Sequence, residues 1–446
     1  MNNQKNKILP ILLIFILASA AILTVNSITV EAATVLQVPS ADYPTIQSAL
    51  NAAKDGDTIK VAAGTYNENI NYDGYAIAVS SGSSQPKSSI TLQGSAGTII
   101  NGAVSLLYLK QFKIADITIT GDLTLGDCKA YGYVTNSIVS NVQVGSIATI
   151  GGSTNTVVGS VIQMLILKGG NTKMEFPAHN TIVEGNQLRG LIIQAGSHDN
   201  TIKGNIISHG EVGIYEEPSK TYYTTGNNKI INNTISNNNV GVSLYCSTGD
   251  NGASSHTADQ LVQNIIKDNA LGLELSASNQ FVYGNTIYHN DFINNGIQVK
   301  INNPVANVWD DGQSPRKGNY WSDYTGLDGN GDGVGDTPHV INAENSDNYP
   351  LTRPYSAPNL PAPTPSVTPS PSPSSTTPPQ TPSPSPSDSI LSQQPSPSPS
   401  PTQSISTGAN QEQNSVIPEL TPIIALVALV AASLGAVIFK RKSLLF

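Results

Sequence analysis

The middle of this chain repeats a string that closes on asparagine, and the period of that repeat limits the fold more than any other feature. Asn180-Thr181-Ile182-Val183-Glu184-Gly185-Asn186 is followed by Asn200-Thr201-Ile202-Lys203-Gly204-Asn205 and Asn228-Lys229-Ile230-Ile231-Asn232-Asn233. Asn279-Gln280-Phe281-Val282-Tyr283-Gly284-Asn285 reads as a further copy, and Gln260-Leu261-Val262-Gln263-Asn264 as a looser one. The closing residues Asn186, Asn205, Asn233, Asn264 and Asn285 stand 19, 28, 31 and 21 residues apart. Beyond them a Gly-aliphatic pair recurs at Gly213-Ile214, Gly241-Val242 and Gly272-Leu273. Each unit holds short strands between Asn/Gly turns and is too small to fold alone. Such units must stack, with apolar positions meeting across rungs about 4.8 Å apart. The pattern predicts an all-β fold, a right-handed parallel β-helix of roughly a dozen rungs. A leucine-rich horseshoe would need a Leu framework that is missing. The repeated Asn is expected to line a turn column, where its side chain hydrogen-bonds to its neighbours and tolerates left-handed backbone.

The segment before the repeats fits the same fold. Tyr43-Pro44-Thr45-Ile46-Gln47-Ser48-Ala49-Leu50-Asn51-Ala52-Ala53 places apolar residues at helical spacing, and Asp55-Gly56-Asp57 breaks it. A short amphipathic helix there would cap the open end of the first rung. This entry segment, with Gly64-Thr65-Tyr66-Asn67-Glu68, resembles that of pectate-lyase-like right-handed β-helix proteins. The Asn-x-Ile-x-x-Asn repeats resemble the NosD-type β-helix family, as do Gly318-Asn319-Tyr320-Trp321-Ser322-Asp323-Tyr324 and Asp347-Asn348-Tyr349-Pro350-Leu351. The resemblance implies a fold rather than an activity. Its members include proteins linked to copper-site maturation, carbohydrate-active enzymes and surface proteins.

Both ends of the chain carry membrane signals. Lys5 and Lys7 precede an apolar run, and small residues follow it near Val30-Glu31-Ala32-Ala33, so residues 1–33 read as a secretory signal peptide. Residues 34–356 are the ectodomain, with 318–356 as its C-terminal cap. Sixteen of the 29 prolines fall in residues 357–401, so 357–417 is expected to be a disordered Pro/Ser/Thr-rich stalk. Residues 420–439 carry no charge and are long enough to span a hydrocarbon core about 30 Å thick. Lys440-Arg441-Lys442 follow and place the tail in the cytoplasm, making 418–446 a transmembrane anchor. Ile417-Pro418-Glu419-Leu420 resembles the sorting signals of prokaryotic surface proteins.

Charge then restricts the partners. Residues 34–356 hold 17 basic and 27 acidic side chains, which argues against nucleic-acid binding. Envelope glycans or surface-layer components are the expected partners. Two cysteines, Cys128 and Cys246, are too few for a disulfide framework.

Three constellations are candidate sites. Asp328, Asn330, Asp332, Val334 and Asp336 reproduce the oxygen spacing of a calcium loop, with Gly333 at the turn position. Position 12 holds His339 where a bidentate Glu would stand, so a structural Ca²⁺ there needs ligands from elsewhere. Next, His209, Asp268 and His289 each lie four residues past a turn asparagine and are expected to stack on one edge, a possible copper site. Last, two long rungs carry same-phase insertions whose Glu216, Tyr222, Tyr223, Asp250, His256 and Asp259 would form a glycan-binding face. The motif strings of pectin hydrolases and lyases are absent. The reading is therefore a membrane-anchored surface β-helix with a structural, adhesive or carbohydrate-binding role, not an enzyme. A polysaccharide lyase or hydrolase and a NosD-like copper-handling protein are the alternatives.

Overall fold

The computed structural model describes residues 32–357, except 81, 83–84, 130–131, 171–174, 218–224, 247–257, 278–283 and 303–305. The signal segment up to residue 31, the proline-rich stretch from 358 onward and the C-terminal apolar run lie outside the described residues. No helix among the described residues is long and apolar enough to cross a membrane.

The described chain winds as a parallel β-helix. Eleven strands, from Val35–Val38 to Thr286–Tyr288, pair in parallel to form one sheet. A second sheet of 18 strands supplies the remaining faces. It turns the corner within single strands such as Gln143–Ile150, where the register shifts between Val144 and Ile147.

Alternation along each short strand fills the interior. In the first sheet Ile59, Leu92, Ile114, Val139, Val157, Val183, Ile202, Ile230, Leu261 and Ile287 pair rung to rung and are all fully buried. Each such side chain contributes about 1.5–3 kcal/mol by leaving water. A matching column in the second sheet runs through Val144, Ile162, Leu188, Ile207, Ile235 and Ile266 to Phe292 and Trp321.

Both ends of these columns are covered. Helix α1 (Ile46–Ala52) buries Ile46, Ala49 and Leu50 over the first rungs, as the apolar spacing predicts. Its start is fixed by a capping box between Thr45 and Ser48, and by the Glu68 carboxylate, which accepts from Ile46 N and Gln47 N at 2.9 and 3.1 Å. Lys87 Nζ donates to the carbonyl of Ala53 at 2.6 Å and caps the other end. At the C-terminal side, aromatic rings close the aliphatic column: Phe292 stacks on Trp321 at 4.5 Å, and Trp321 on His339 at 4.4 Å.

Candidate functional site

The turns between the sheets carry three asparagine ladders where the repeat indicated one. In the first, each of Asn186, Asn205, Asn233, Asn264 and Asn290 donates both its backbone N–H and its Nδ2–H to Oδ1 of the next asparagine, at 2.9–3.0 Å. All donors point the same way, so the last member of the ladder needs only to accept. Asp347 is that group: its Oδ2 accepts from Asn319 N at 2.7 Å and from Trp321 Nε1 at 2.9 Å. Burial pushes its pKa up to about 6, against the lowering effect of those bonds.

A second ladder passes through Asn200, Asn228, Asp259, Asn285, Asn307 and Asn345, and a third through Asn238, Asn269 and Asn295. This corrects the phase of the last copy. Asn285 opens its rung and Asn290 closes it, since Ile287 pairs with Leu261. The true repeat is Asn285-Thr286-Ile287-Tyr288-His289-Asn290.

The same correction dissolves the expected copper column. His209, Asn237, Asp268 and Asn294 do share one left-handed turn. His289 belongs to another, aligned with Gly185, Gly204, Asn232 and Gln263. A full rung separates His209 from Asp268, and His289 stands on a different edge. It packs with its Nε2 3.2 Å from Asp311 Oδ2 and its ring stacked on Tyr355 at 4.2 Å. Burial lowers its pKa, although Asp311 works in the opposite direction.

The expected glycan face also changes. Tyr222, Tyr223, Asp250 and His256 lie outside the described residues. Glu216 and Asp259 are 0% and 1% exposed and cannot meet a soluble ligand. They face each other inside the solenoid, where Asn228 Nδ2 donates to Glu216 Oε1 at 3.2 Å and Asn228 N to Asp259 Oδ1 at 2.7 Å. Two buried carboxyl groups in hydrogen-bond contact cannot both ionise. Burial, then the charge and hydrogen bond of Asp259, push the Glu216 pKa well above the ordinary carboxylate range. The pair therefore keeps one proton to higher pH than a free carboxyl does.

The Asp/Gly loop is folded tightly on itself. Asp328 accepts from Gly331 N, Asp332 N and Gly333 N at 2.7, 3.1 and 2.9 Å. Asp332 Oδ1 accepts from Val334 N at 2.8 Å, and Asp336 Oδ2 from Gly329 N at 2.7 Å. Gly331 and Gly333 supply positive φ of 75° and 87°. Among the described residues no three His, Cys, Asp or Glu side chains converge into a metal site.

One pair of imidazoles escaped the sequence reading. His179 and His198 occupy the same turn on successive rungs, bridged in parallel, and their rings stack 5.2 Å apart at 11°. His179 Nδ1 lies 2.9 Å from the carbonyl of Pro177, which can only accept, so the proton is on Nδ1. His198 Nδ1 lies 2.6 Å from Asp199 Oδ2. Burial acts to raise the Asp199 pKa, but hydrogen bonds from His198 and Asn227 outweigh it and hold the carboxylate ionised. Both rings are thus held as the Nδ1–H tautomer, and neither Nε2 has a hydrogen-bond partner among the described residues. The signal was present: His179 and His198 each stand seven residues before a closing asparagine, Asn186 or Asn205. Matching the strings at their Asn-Thr-Ile start shifts them by one and hides it, because Ile182 pairs with Thr201.

Residues 133–326 match the family model described as "Periplasmic copper-binding protein (NosD)". That segment of the β-helix therefore resembles the NosD type. A stretch of 79 residues is 40% identical to a probable ABC transporter binding protein NosD of Pseudomonas aeruginosa, and 38% identical to its namesake in Stutzerimonas stutzeri. Each match covers 18% of this chain and 17% of the relative. Among solved structures, the mannuronan C-5 epimerase A-module from Azotobacter vinelandii aligns with a TM-score of 0.36 at 15% identity, over 59% of this chain and 91% of that one. An alginate lyase from Paenibacillus sp. aligns at 0.34 and 12%, over 62% and 97%. Copper must therefore be weighed against the residues present. The imidazoles of His179 and His198 stack against each other within the matched segment; those of His209 and His289 offer the same nitrogen donors but stand on different turns.

Proposed function

We propose that this chain is an exported envelope protein whose NosD-type β-helix is a non-catalytic binding scaffold. In this reading the Pro/Ser/Thr-rich stretch and the C-terminal apolar run hold the solenoid out from the membrane, toward envelope glycans or surface-layer components. The observation that carries it is the use made of the polar side chains. The asparagines, with Glu216, Asp259 and Asp347, are buried and hydrogen-bonded within the solenoid. They are committed to structure, where a hydrolase or lyase would keep carboxylates open to solvent. The experiment is protease treatment of intact cells carrying the full chain, with polysaccharide-release assays on the purified protein. The reading expects a resistant β-helix fragment shed into the medium and no sugar product. Full protection of the β-helix in intact cells, or turnover of a polysaccharide, contradicts it. A second reading is metal handling, favoured by the family's description and by the stacked imidazoles.

A further inference from the structure

We propose that Tyr75, Tyr108, Tyr133 and Phe176 form a strip that binds a neutral, β-linked glycan chain lengthwise. The proposal rests on the binding-scaffold reading and gives it a site. The four rings follow one another along a single edge of the solenoid. Tyr75 and Tyr108 lie 5.6 Å apart at 82°, Tyr108 and Tyr133 5.9 Å apart at 86°, and Tyr133 and Phe176 5.7 Å apart at 46°. All four reach the surface: the tyrosines are partly buried, and Phe176 is 45% exposed. Val79, one helical turn beyond Tyr75 in the helix Gly74–Ser80, lengthens the apolar strip at 59% exposure. A contiguous exposed apolar strip marks a site of interaction.

Two features set the strip apart from ordinary packing. Tyr75, Tyr108 and Tyr133 follow the strands Ile70–Asp73, Val104–Leu107 and Leu123–Leu125, which pair rung to rung. The next rung turns at Gly151-Gly152 and offers no ring. Phe176 continues the row from the rung beyond, because its segment turns back: Phe176 N donates to the carbonyl of Cys128, and Lys129 pairs antiparallel with Glu175. Secondly, Tyr108 holds left-handed backbone at φ 55°, which the other turns give to Asn, Asp, Gln, His, Ser, Thr or Gly. That conformation costs energy in a bulky residue, and such strain gathers at functional sites.

A row of rings suits a ligand that repeats. Rungs stand about 4.8 Å apart, close to the length of one pyranose unit in an extended chain. The tyrosine rings cross nearly at right angles, so a chain along the strip meets a ring face and a ring edge in turn. The face packs on sugar C–H groups, while the tyrosine hydroxyl donates to and accepts from sugar hydroxyls. β-Linked glucosyl and N-acetylglucosaminyl units present such C–H faces, because their hydroxyls are equatorial. Charge excludes acidic polysaccharides: residues 34–356 hold 27 acidic against 17 basic side chains and repel a polyuronate.

The test is calorimetric titration of the purified full chain with cellohexaose, chitohexaose and hexagalacturonate. The proposal expects a neutral hexamer to bind, more weakly as the sugar is shortened, and the galacturonate not to bind. Tyr133→Ala and Phe176→Ala should each lose about tenfold in affinity or more, the effect of truncating an aromatic anchor. Tyr133→Leu keeps apolar volume and should lose as much, while Tyr355→Ala removes an exposed ring elsewhere and should bind as the parent does. Melting of each variant within a few degrees of the parent shows that the solenoid is intact. A neutral hexamer bound equally well by the Tyr133→Ala/Phe176→Ala double variant overturns the strip while leaving the glycan-binding reading in place. Preference for hexagalacturonate, or self-association of the parent chain that the double variant abolishes, overturns the choice of ligand. No binding of any of the three sugars by the parent chain overturns both the strip and the glycan-binding reading.

Discussion

The early and late rungs of this solenoid build the same turn with different chemistry. In the column that follows each strand of the first sheet, the early rungs place Ile117 and Val142, both buried. Ser160 comes next, and from Asn186 onward the position is asparagine until it ends on Asp347. The column preceding the same strands behaves alike, with Ile90 and Phe112 early, then Ser137 and Asn155, and a polar ladder from Asn200. An aliphatic stack asks only for volume and tolerates many residues. A ladder is demanding, because each member must present a donor and an acceptor one rung apart, and a missing member strands buried donors. The late rungs are therefore held in phase by side-chain hydrogen bonds as well as by apolar burial.

The largest effect should come from breaking a ladder in its middle. Asn233→Ala leaves Asn205 N–H and Nδ2–H without their acceptor and is expected to cost about 3–5 kcal/mol. In the same column, Val142→Ala should cost only about 1–2 kcal/mol, since its backbone bond to Ser160 survives. Urea unfolding of the two variants compares the halves directly. Equal losses would remove the distinction between them.

Next in size is the terminus. Asp347→Ala deprives Asn319 N–H and Trp321 Nε1–H of their shared acceptor, for about 2–4 kcal/mol in the same assay. A loss below about 0.5 kcal/mol would show that the ladder needs no terminal acceptor.

The carboxyl pair predicts a gain. Unfolded, Glu216 releases its proton near its ordinary pKa of 4.5; folded, it retains the proton to higher pH. The unfolded state therefore binds fewer protons across that interval, and stability falls as the pH rises. Glu216→Gln supplies a permanent donor toward Asp259 and keeps an acceptor for Asn228. It should stabilise by about 1 kcal/mol or more at pH 7, with the advantage shrinking toward pH 4. Thermal melts across that range would contradict the shared proton if the variant melts lower at pH 7.

A further effect, comparable with that of the terminus, concerns the cap loop. If Asp328, Asn330, Asp332, Val334 and Asp336 hold Ca²⁺, saturating calcium should raise the melting temperature by a few degrees, about 2–3 kcal/mol at a hundredfold excess over Kd. Asp332→Ala should abolish the rise; a calcium-independent melt of the parent removes the site.

Legibility in the sequence follows the same division. The late rungs announce themselves because a ladder repeats one letter, and from that letter the parallel β-helix was readable. Helix α1 was readable from its spacing, whereas the helix Gly74–Ser80 carried no comparable signal. The sites were read less well because the letter is not always Asn. Thr181 and Asp259 occupy ladder positions, so string matching slipped by one at His179 and mis-phased Asn285. That slip placed His289 on the wrong edge. Glu216 looked like a loop residue because it stands where an insertion begins, yet it ends the strand Val212–Glu216 with its side chain inward. Only the register across rungs distinguishes the two.

The most direct test of the account is native-state amide hydrogen exchange on the full chain, resolved at the turns. The N–H groups of Asn186, Asn205, Asn233, Asn264 and Asn290 each donate to a buried asparagine side chain. They should exchange as slowly as the strand amides beside them, and Asn233→Ala should release protection first at Asn205. If these turn amides exchange as fast as exposed loops, the ladders do not hold the late rungs, and the contrast with the early ones fails.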